Sequence, residues 1–324
     1  MITTVTLNAA MDRSLVVPNF LAGRRHRASS GVTLPGGKGV TIARALKCLG
    51  SPVIATGLAG GLNGANIVER LTAEGILNDF VRIAEPSRTS TAVIDPVTGV
   101  HTEINEYGPR VQPNEIELLS EKLRYLSRAS RCVVLAGTLP RAVEIDTYQK
   151  FIRSLHGIGQ KIFTVVTAPD DSSVLRASLA AEPGLTIVDQ REAEGVVGHE
   201  FSSDDDFLGA LDAMARSGGQ SIVITHDTGC YARIKTGKTV AYHAASHDPV
   251  EPVSELGSTD TFVAAFVHMT LAEQPIEERL TYGLAAALAN MRQLGAGVFE
   301  KADVARLQRD VEVRPLVAVE LDTE

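Results

Sequence analysis

The sequence contains no tryptophan and only three cysteines, Cys48, Cys132 and Cys230, among its 324 residues. These cysteines form no CxxC pair and no spacing typical of a metal site, so we expect a reducing compartment. No uncharged apolar stretch approaches the roughly 18 residues of a membrane span, and no basic segment followed by an apolar run begins the chain. These absences predict a cytoplasmic, water-soluble protein.

Runs of basic residues are also missing, and the formal net charge is −8. A nucleic-acid-binding surface needs clustered lysine and arginine, so we expect no nucleic-acid partner. The length suits one large α/β domain or two smaller ones.

Short apolar strand patterns, such as Cys132–Leu135 and Ser221–Thr225, alternate with helical patterns along most of the chain. Apolar strands joined by helices predict an α/β fold in which helices cover both faces of a mostly parallel sheet. Ligands then bind beyond the carboxyl ends of the strands. Two helices, Glu277–Gln293 and Ala302–Asp310, are predicted to close the chain.

Two segments do not follow the alternation. Short strand patterns at about residues 12–34 lead into no helix, and a second pair at 88–107 is joined by the turn sequence Asp95-Pro96-Val97-Thr98-Gly99. We assign both to a small β lid on a single domain that spans residues 1–324. A two-sided lid sheet leaves edges and apolar side chains to cover, which favours a homodimer through the lid.

The stretch at residues 255–262 is the strongest candidate for chemistry. A flexible Gly257-Ser258 step leads through Thr259 and Asp260 into an apolar helical run. The start of a buried helix presents unpaired backbone N–H groups, which attract phosphate. An aspartate held there stays ionised and can accept a proton from a hydroxyl. An ordinary helix cap is the alternative interpretation.

A second glycine-rich turn, Pro35-Gly36-Gly37-Lys38-Gly39, precedes the helical pattern Val40–Leu49. Its glycines let the backbone approach a ligand closely. The spacing is neither that of a P-loop nor that of a GxGxxG turn. A purely structural turn is equally compatible with it.

Five short stretches follow one another along the chain: TLNAAMD at 6–12, GGKG at 36–39, TEINEYGP at 102–109, AGTLP at 136–140 and GSTD at 257–260. Together they resemble the PfkB-type carbohydrate kinases of the ribokinase-like fold over nearly the whole chain. Within that family they are similar to the 1-phosphofructokinase and tagatose-6-phosphate kinase branch, whose patterns are TLNPAxD, TEINExGP and SGSLP.

The resemblance implies ATP as phosphoryl donor, Mg²⁺ as cofactor and a phosphorylated ketohexose as acceptor. It implies that Asp260 is the base and that the amides of Gly257, Ser258 and Thr259 surround the transferred phosphoryl group. The implied sugar-phosphate ligands are Asp12, Arg25, Gly36, Gly37, Lys38, Thr41, Arg88, Glu103 and Thr138. The implied nucleotide ligands are Thr225, His226, Gly229 and Asn290, and the implied magnesium pair is Asp189 and Glu192.

Several of these residues also have a purely structural interpretation. Asp12 suits a turn after the first strand, and Arg88 suits an exposed position on the lid. Asp189 and Glu192 suit a solvated acidic pair at the start of a helix.

The nucleotide side departs from the family pattern. The family's GAGD loop reads Gly-Ser-Thr-Asp here, and a positive φ at Thr259 would cost roughly 1–2 kcal/mol. The family's Ser-Leu-Gly-x-x-Gly loop keeps only Gly229, and Asp227 adds a negative charge near a polyanion. The family's N-x-x-E stretch begins with Asp189 instead of asparagine.

Two classes of function therefore compete. A kinase acting on a sugar phosphate is favoured by the intact sugar side. A catalytically lapsed homologue that only binds a sugar phosphate is favoured by the altered nucleotide side. A kinase for a different sugar or a nucleoside is a further alternative.

Overall fold

The computed structural model describes residues 1–158 and 162–320. Its strands are β1 (Ile2–Thr6), β2 (Ala10–Val16), β3 (Ser30–Gly36), β4 (Val53–Gly60), β5 (Leu77–Ile83), β6 (Arg88–Asp95), β7 (Val100–Asn105), β8 (Cys132–Ala136), β9 (Phe163–Thr167), β10 (Leu185–Asp189), β11 (Ser221–His226), β12 (Gly229–Thr236), β13 (Thr239–His247) and β14 (Val311–Glu320). Its α-helices are α1 (Lys38–Leu49), α2 (Gly61–Ala73), α3 (Pro113–Ser127), α4 (Thr147–His156), α5 (Ser172–Leu179), α6 (Gln190–Val197), α7 (Asp204–Arg216), α8 (Ser258–Leu271), α9 (Ile276–Met291) and α10 (Lys301–Leu307).

A ten-stranded sheet forms the centre of the molecule, in the order β14-β13-β12-β11-β10-β9-β8-β1-β4-β5. The strands from β11 to β5 in that order pair in parallel, whereas β12, β13 and β14 pair antiparallel. The α/β class with a mostly parallel sheet is therefore confirmed. Because the parallel strands end at one edge of the sheet, the residues that follow β1, β8, β10 and β11 come together there.

A second sheet of four strands, in the order β3-β2-β6-β7, lies in the two segments assigned to the lid. Strand β2 pairs antiparallel with β3 and parallel with β6, while β6 and β7 form the expected hairpin. Asp95 stabilises this hairpin and the loop after β2, because its carboxylate accepts hydrogen bonds from the N–H groups of Asn19, Phe20 and Val97.

Helix α8 is deeply buried, with every residue from Asp260 to Val267 buried. It packs against α9, where Gly283 makes room for an aromatic ring. A Cβ built on Gly283 would lie 2.8 Å from the Phe262 side chain, so a larger residue would push the helices apart. The start of α8 is thus held rigidly by close packing.

One strand was not predicted from the sequence. Strand β14 adds an edge strand after the two predicted closing helices, whereas α6 begins at the acidic pair for which a helix start was considered. Pro315 argues against a strand in this segment of the sequence, because proline lacks the N–H group that a central strand needs. The structure accommodates it at the sheet edge, opposite a register shift between Tyr242 and His243. Within the described ranges, no helix is long and apolar enough to cross a membrane.

Candidate active site

The loop before α8 enters the helix through a glycine in the left-handed region. Gly257 has φ 80° and is the N-cap of α8, without a side-chain hydrogen bond to the helix end. A Cβ on Gly257 would lie 2.6 Å from the Cβ of Ala296, so neither the backbone angle nor the space admits another residue. Thr259 lies inside the helix and is not among the residues with positive φ. The strain considered for Thr259 is therefore absent.

The backbone N–H groups at this helix start are mostly free. The Ser258 N–H donates to Glu255 O at 3.1 Å, whereas those of Gly257, Thr259 and Asp260 have no acceptor in the described parts of the chain. This corrects one expectation, because the Ser258 amide is already engaged in a turn. The remaining donors and the dipole of α8 can attract an anion to this edge of the sheet, which we call the candidate anion site.

Asp260 lies at this helix start and is 6 % exposed. Its Oδ1 atom is buried and has no hydrogen-bond partner in the described part of the protein. Burial raises the pKa of Asp260, although the positive charge of Lys38 opposes this change. An unpaired buried carboxylate oxygen is costly for folding, which indicates a position reserved for a ligand.

Asn290 holds the loop before α8 in place through hydrogen bonds. Its Oδ1 accepts hydrogen bonds from Thr261 Oγ1 at 2.8 Å and from the Gly297 N–H at 3.0 Å. Its Nδ2 donates to Leu256 O at 3.4 Å and to Gly295 O at 3.2 Å. Asn290 is completely buried and its amide is fully used within the protein, so it positions the loop. The structure does not place it as the direct nucleotide contact that was predicted.

Asp12 lies where the lid meets the glycine-rich turn. A Cβ on Gly36 would lie 1.9 Å from the Asp12 Oδ2 atom, so only glycine lets the carboxylate occupy this position. The backbone N–H of Gly37 is close to this carboxylate and acts to lower its pKa. Burial raises the pKa of Asp12 to about 6, despite the opposing effects of Arg88 and this N–H group. Gly36 and Gly37 therefore shape the acidic site.

Arg88 and Glu103 come from the lid strands β6 and β7. The Arg88 Nη1 atom donates to Ser90 Oγ at 2.9 Å, and its Nε atom is buried without a partner in the described part of the chain. Burial lowers the pKa of Arg88, while the carboxylates of Asp12, Glu106 and Glu103 act to raise it. The arginine thus keeps unused donors beside Asp12, which suits a phosphate ligand.

Asn8 was not singled out from the sequence, although it belongs to the TLNAAMD stretch. Its Nδ2 donates to Thr138 Oγ1 at 2.9 Å, which joins the ends of β1 and β8. Its Oδ1 is buried and finds no hydrogen-bond donor among the described residues. A Cβ on Gly108 would lie 2.2 Å from that Oδ1, so the end of the lid closes over it. The unpaired oxygen identifies Asn8 as a candidate ligand, together with the predicted Thr138.

Two predicted sugar ligands are placed differently. Arg25 is exposed in the loop between β2 and β3, and it makes no hydrogen bond or ion pair with any described residue. Thr41 is 1 % exposed within α1. A Cβ on Gly297 would lie 3.1 Å from the Thr41 Cγ2 atom, so this methyl group packs on the segment after α9. Packing explains Thr41 without a sugar contact.

Lys38 is the first residue of α1, and its charge interacts with carboxylates from both the start of α8 and the start of α6. Burial acts to lower its pKa, but the carboxylates of Asp260, Glu192 and Asp189, with a smaller effect of Glu103, leave the pKa raised. Lys38 is therefore fully protonated at neutral pH. Its charge lies in the field of Asp260 and of the predicted magnesium pair.

Asp189 and Glu192 form a reciprocal capping box at the start of α6. Asp189 Oδ1 accepts from the Glu192 N–H at 2.9 Å, and Glu192 Oε2 accepts from the Asp189 N–H at 3.1 Å. Glu192 Oε1 also accepts from the Asp170 N–H at 2.8 Å. Burial and the Asp189 charge raise the pKa of Glu192 to about 7. The structural interpretation of these acids is thus observed, and Asp189 also borders the cleft described next.

An open cleft of about 680 Å³ extends from Asp189 along the edge of the sheet. The start of α8 and the second half of α9, which pack against each other, both line the cleft. Residues that line it include Glu103, Asp189, Thr225, His226, Asp227, Gly229, Ser258, Thr259, Leu284, Ala287 and Met291. The predicted nucleotide loop and the anion site therefore share one cavity that is large enough for a nucleotide.

His226 gives this cleft an aromatic wall. Its ring lies 5.4 Å from that of Phe207 and 5.6 Å from that of Tyr231, and Phe207 and Tyr231 stack at 4.4 Å. Burial lowers the pKa of His226, so the imidazole is neutral at pH 7. Thr225 donates its hydroxyl to Val188 O at 3.3 Å and is largely buried.

Similarity to known proteins shows the family of this chain. Residues 3–302 match the pfkB family of carbohydrate kinases. The chain belongs to this family. A 1-phosphofructokinase of Borreliella burgdorferi is 30 % identical over 98 % of this chain and 99 % of its own length.

Solved structures of similar proteins show the same ribokinase-like fold. A possible 1-phosphofructokinase of Thermotoga maritima has a TM-score of 0.88 and 24 % identity, and covers 98 % of this chain and 100 % of the other. Phosphofructokinase-2 of Escherichia coli, solved with substrates and products, has a TM-score of 0.85 and 23 % identity, and covers 95 % of this chain and 98 % of the other. This PfkB protein is therefore a carbohydrate kinase, and its family implies ATP as the phosphoryl donor.

Proposed function

We propose that this PfkB kinase transfers the γ-phosphoryl group of ATP to a hydroxyl of a phosphorylated ketohexose, with Asp260 as the base. The observation that carries the proposal is the buried, unpaired Asp260 Oδ1 at the start of α8. A carboxylate in this position can accept the proton of an acceptor hydroxyl while the free amides of α8 bind the transferred phosphoryl group.

The acceptor side supports a sugar that already carries phosphate. Asp12 offers a carboxylate to sugar hydroxyls, and Arg88 keeps a buried Nε without a partner in the described chain. A guanidinium with unused donors is suited to binding a phosphate group through charge-assisted hydrogen bonds. The relative from Borreliella burgdorferi is named a 1-phosphofructokinase, so fructose 1-phosphate is the first acceptor to test. Fructose 6-phosphate and tagatose 6-phosphate are the next.

Asp189 and Glu192 are the residues that would hold Mg²⁺. Their carboxylate oxygens are the donors that this ion prefers, and their backbone hydrogen bonds leave lone pairs for its water shell. Glu192 has a pKa raised to about 7, so a nearby cation would favour its ionised form. When bound, Mg²⁺ neutralises charge on the phosphates of the nucleotide. Asp in place of the family's Asn keeps the oxygen donor.

The decisive experiment measures ADP release in the presence of Mg²⁺ and ATP with each of the three sugar phosphates. The Asp260→Asn variant is assayed in parallel and is expected to lose activity by about 10²–10⁴-fold, because asparagine cannot take a proton. Its affinity for the sugar phosphate, measured by calorimetry, should change little. A variant that keeps most of its rate would contradict the role of Asp260.

The alternative of a lapsed sugar-phosphate-binding protein rests on Asp227, whose negative charge lines the nucleotide cleft. The helical backbone of Thr259 removes one further argument for it, since no positive φ strains the start of α8 at this residue, while the loop that keeps only Gly229 still favours it. A sugar phosphate that raises the melting temperature while ATP does not, with no turnover, would favour this alternative.

We also propose that the protein forms a homodimer through the lid sheet. Val100 and Ile104 on β7 expose 55 % and 59 % of their surface, and Leu21 in the loop after β2 exposes 62 %. Apolar side chains on a thin sheet are commonly covered by a partner. Light scattering after size exclusion at micromolar concentration tests this, and a monomer would contradict it.

A further inference from the structure

A second cavity, of about 260 Å³, lies at the opposite edge of the central sheet from the active site, and we call it the distal cavity. It is bordered by the first residues of β9, β10 and β11, by the hairpin between β12 and β13, by the second half of α8 and by the first turn of α9. Its lining residues include Phe163, Leu185, Gln220, Ser221, Ile234, Lys235, Phe266, Thr270 and Arg279.

This cavity is separate from the nucleotide cleft. Strand β10 reaches the distal cavity with Leu185 and the cleft with Asp189, and the four steps between them span about 13 Å. Helix α8 likewise lines the cleft with Ser258 and the distal cavity with Thr270. A ligand in one cavity therefore does not occupy the other.

Two cationic side chains face the distal cavity without an acidic partner. Arg279 donates its Nε to Gln274 O at 2.6 Å, and none of the described carboxylates lies within ion-pair distance of its terminal nitrogens. Lys235 donates to the neutral Gln220 Oε1 at 2.9 Å and has no ion pair with a described residue either. In a chain with a net charge of −8, two unpaired cations at one cavity are an unexpected arrangement.

The surroundings of Arg279 resemble those of a binding site more than those of a solvated surface. The side chain is half-buried, and this burial lowers its pKa, with no carboxylate acting in the opposite direction. Because Nε is fixed by Gln274, the two terminal nitrogens are held in a fork that matches a carboxylate or phosphate. The apolar side chains of Phe163, Leu185 and Phe266 form the remaining walls.

We propose that the distal cavity binds a small amphiphilic anion, with Arg279 and Lys235 holding its oxyanion group and the apolar walls holding a short carbon skeleton. A volume of about 260 Å³ suits a small metabolite and is less than half the roughly 680 Å³ of the nucleotide cleft. The oxyanion is either a carboxylate or a phosphate monoester, since both fit the arginine fork. The proposal is independent of the acceptor at the catalytic site.

The test uses the full chain and two probes, 4-fluorobenzoate for a carboxylate and 4-fluorophenyl phosphate for a phosphate, each titrated by fluorine NMR. Saturating fructose 1-phosphate and an ATP analogue are tested as competitors, to separate this site from the catalytic one. We expect saturable binding of at least one probe that neither competitor displaces.

Three variants locate the binding. Arg279→Gln should weaken it by about tenfold or more, because a charge-assisted fork is lost. Lys235→Gln changes an exposed side chain that is not needed for folding and should weaken binding by a smaller factor. Arg309→Gln is the matched control, since this exposed arginine has no ion pair in the described chain and lies outside the cavity. Its affinity should equal that of the unaltered protein.

The preferred probe identifies the oxyanion. The proposal is overturned if neither probe binds saturably at millimolar concentration, or if both are displaced by the catalytic-site competitors. It is equally overturned if Arg279→Gln and Lys235→Gln, each shown to be folded by its melting temperature, bind as the unaltered protein does.

Discussion

Two pairs of helices in this kinase begin in different ways. Helices α1 and α8 begin after Gly37 and Gly257, which have φ values of 87° and 80° and provide no side-chain cap. Helices α6 and α7 begin after Asp189 and Ser203, and each has a complete capping box. The first pair keeps backbone N–H groups free, whereas the second pair satisfies them internally.

Helices α2, α4, α9 and α10 also lack a side-chain cap, but among the described helices α1 and α8 alone begin after a glycine with positive φ. We propose that this feature marks the helix starts that bind an anion, and the free amides of α8 lie beside Asp260. A side-chain cap at either start would compete with a phosphate for the same donors. Asp189 is both a cap and a border of the cleft, so α6 contributes carboxylate oxygens to the site where α8 contributes N–H groups.

The largest effect is expected when the glycine start of α8 is changed. Gly257→Ala would place a Cβ 2.6 Å from the Cβ of Ala296 at a φ of 80°, so the loop must move. We expect kcat to fall by about 10²-fold or more, because the loss of an oriented donor has effects of this size. Steady-state kinetics and thermal unfolding measure the two consequences separately.

Gly198→Ala is the matched control for this change. Gly198 ends α6 with φ 89°, but no atom lies within 4 Å of a Cβ built there. It should therefore lose roughly 1–2 kcal/mol of stability from backbone strain and keep its kcat. Equal kinetics for the two variants would contradict the role of the α8 start.

A second contrast concerns two lid carboxylates, Asp12 in the site and Asp95 in the turn. The pKa of Asp12 is raised to about 6, mainly by burial, so the folded protein holds this proton between about pH 4 and 6, where the unfolded chain has released it. The contribution of Asp12 to the free energy of unfolding is thus largest below that window and is lost as the pH rises through it. Asp12→Asn should stabilise the protein by about 1–3 kcal/mol at pH 8 and by almost nothing at pH 4.

Asp95 provides the control with the opposite sign. Burial acts to raise its pKa, but four hydrogen bonds to its carboxylate leave the pKa lowered. Asp95→Asn should therefore destabilise the protein at pH 8 and have less effect in acid. Urea denaturation at the two pH values distinguishes the variants. If Asp12→Asn is destabilised at pH 8 as Asp95→Asn is, then Asp12 stabilises the fold and is not strained for a ligand.

The sequence predicts the sheet, its helices and the lid segments because each has a local signature. Alternating apolar strands and helices specify the α/β class, and the turn after Asp95 specifies the hairpin. Strand β14 lacks such a signature, since Pro315 argues against a strand unless the edge position is known. For the site, motifs name candidate residues but give no side-chain partners, so the site residues remain a prediction.

Asn290 and Asn8 illustrate that last difference. A motif marks an asparagine near a nucleotide or a sugar, but only the three-dimensional structure shows which of its atoms are already bonded. Asn290 uses both ends of its amide within the protein, whereas Asn8 leaves Oδ1 unpaired among the described residues. Long-range contacts of this kind decide whether a polar residue binds a ligand or supports the loop that does.

The smallest expected effect concerns Thr259, the residue that departs most visibly from the family pattern. Thr259→Gly restores the second glycine of the family's GAGD loop. It relieves no strain, because Thr259 is helical and only Gly257 has a positive φ in this loop. Glycine in the first turn of a helix lowers stability, here by about 0.5 kcal/mol relative to threonine. We expect kcat to stay within about twofold, since the amide that faces the phosphate is the same in both residues. A large gain in kcat would show that the threonine side chain obstructs the anion site, and the contrast between capped and uncapped helix starts would then not account for the activity alone.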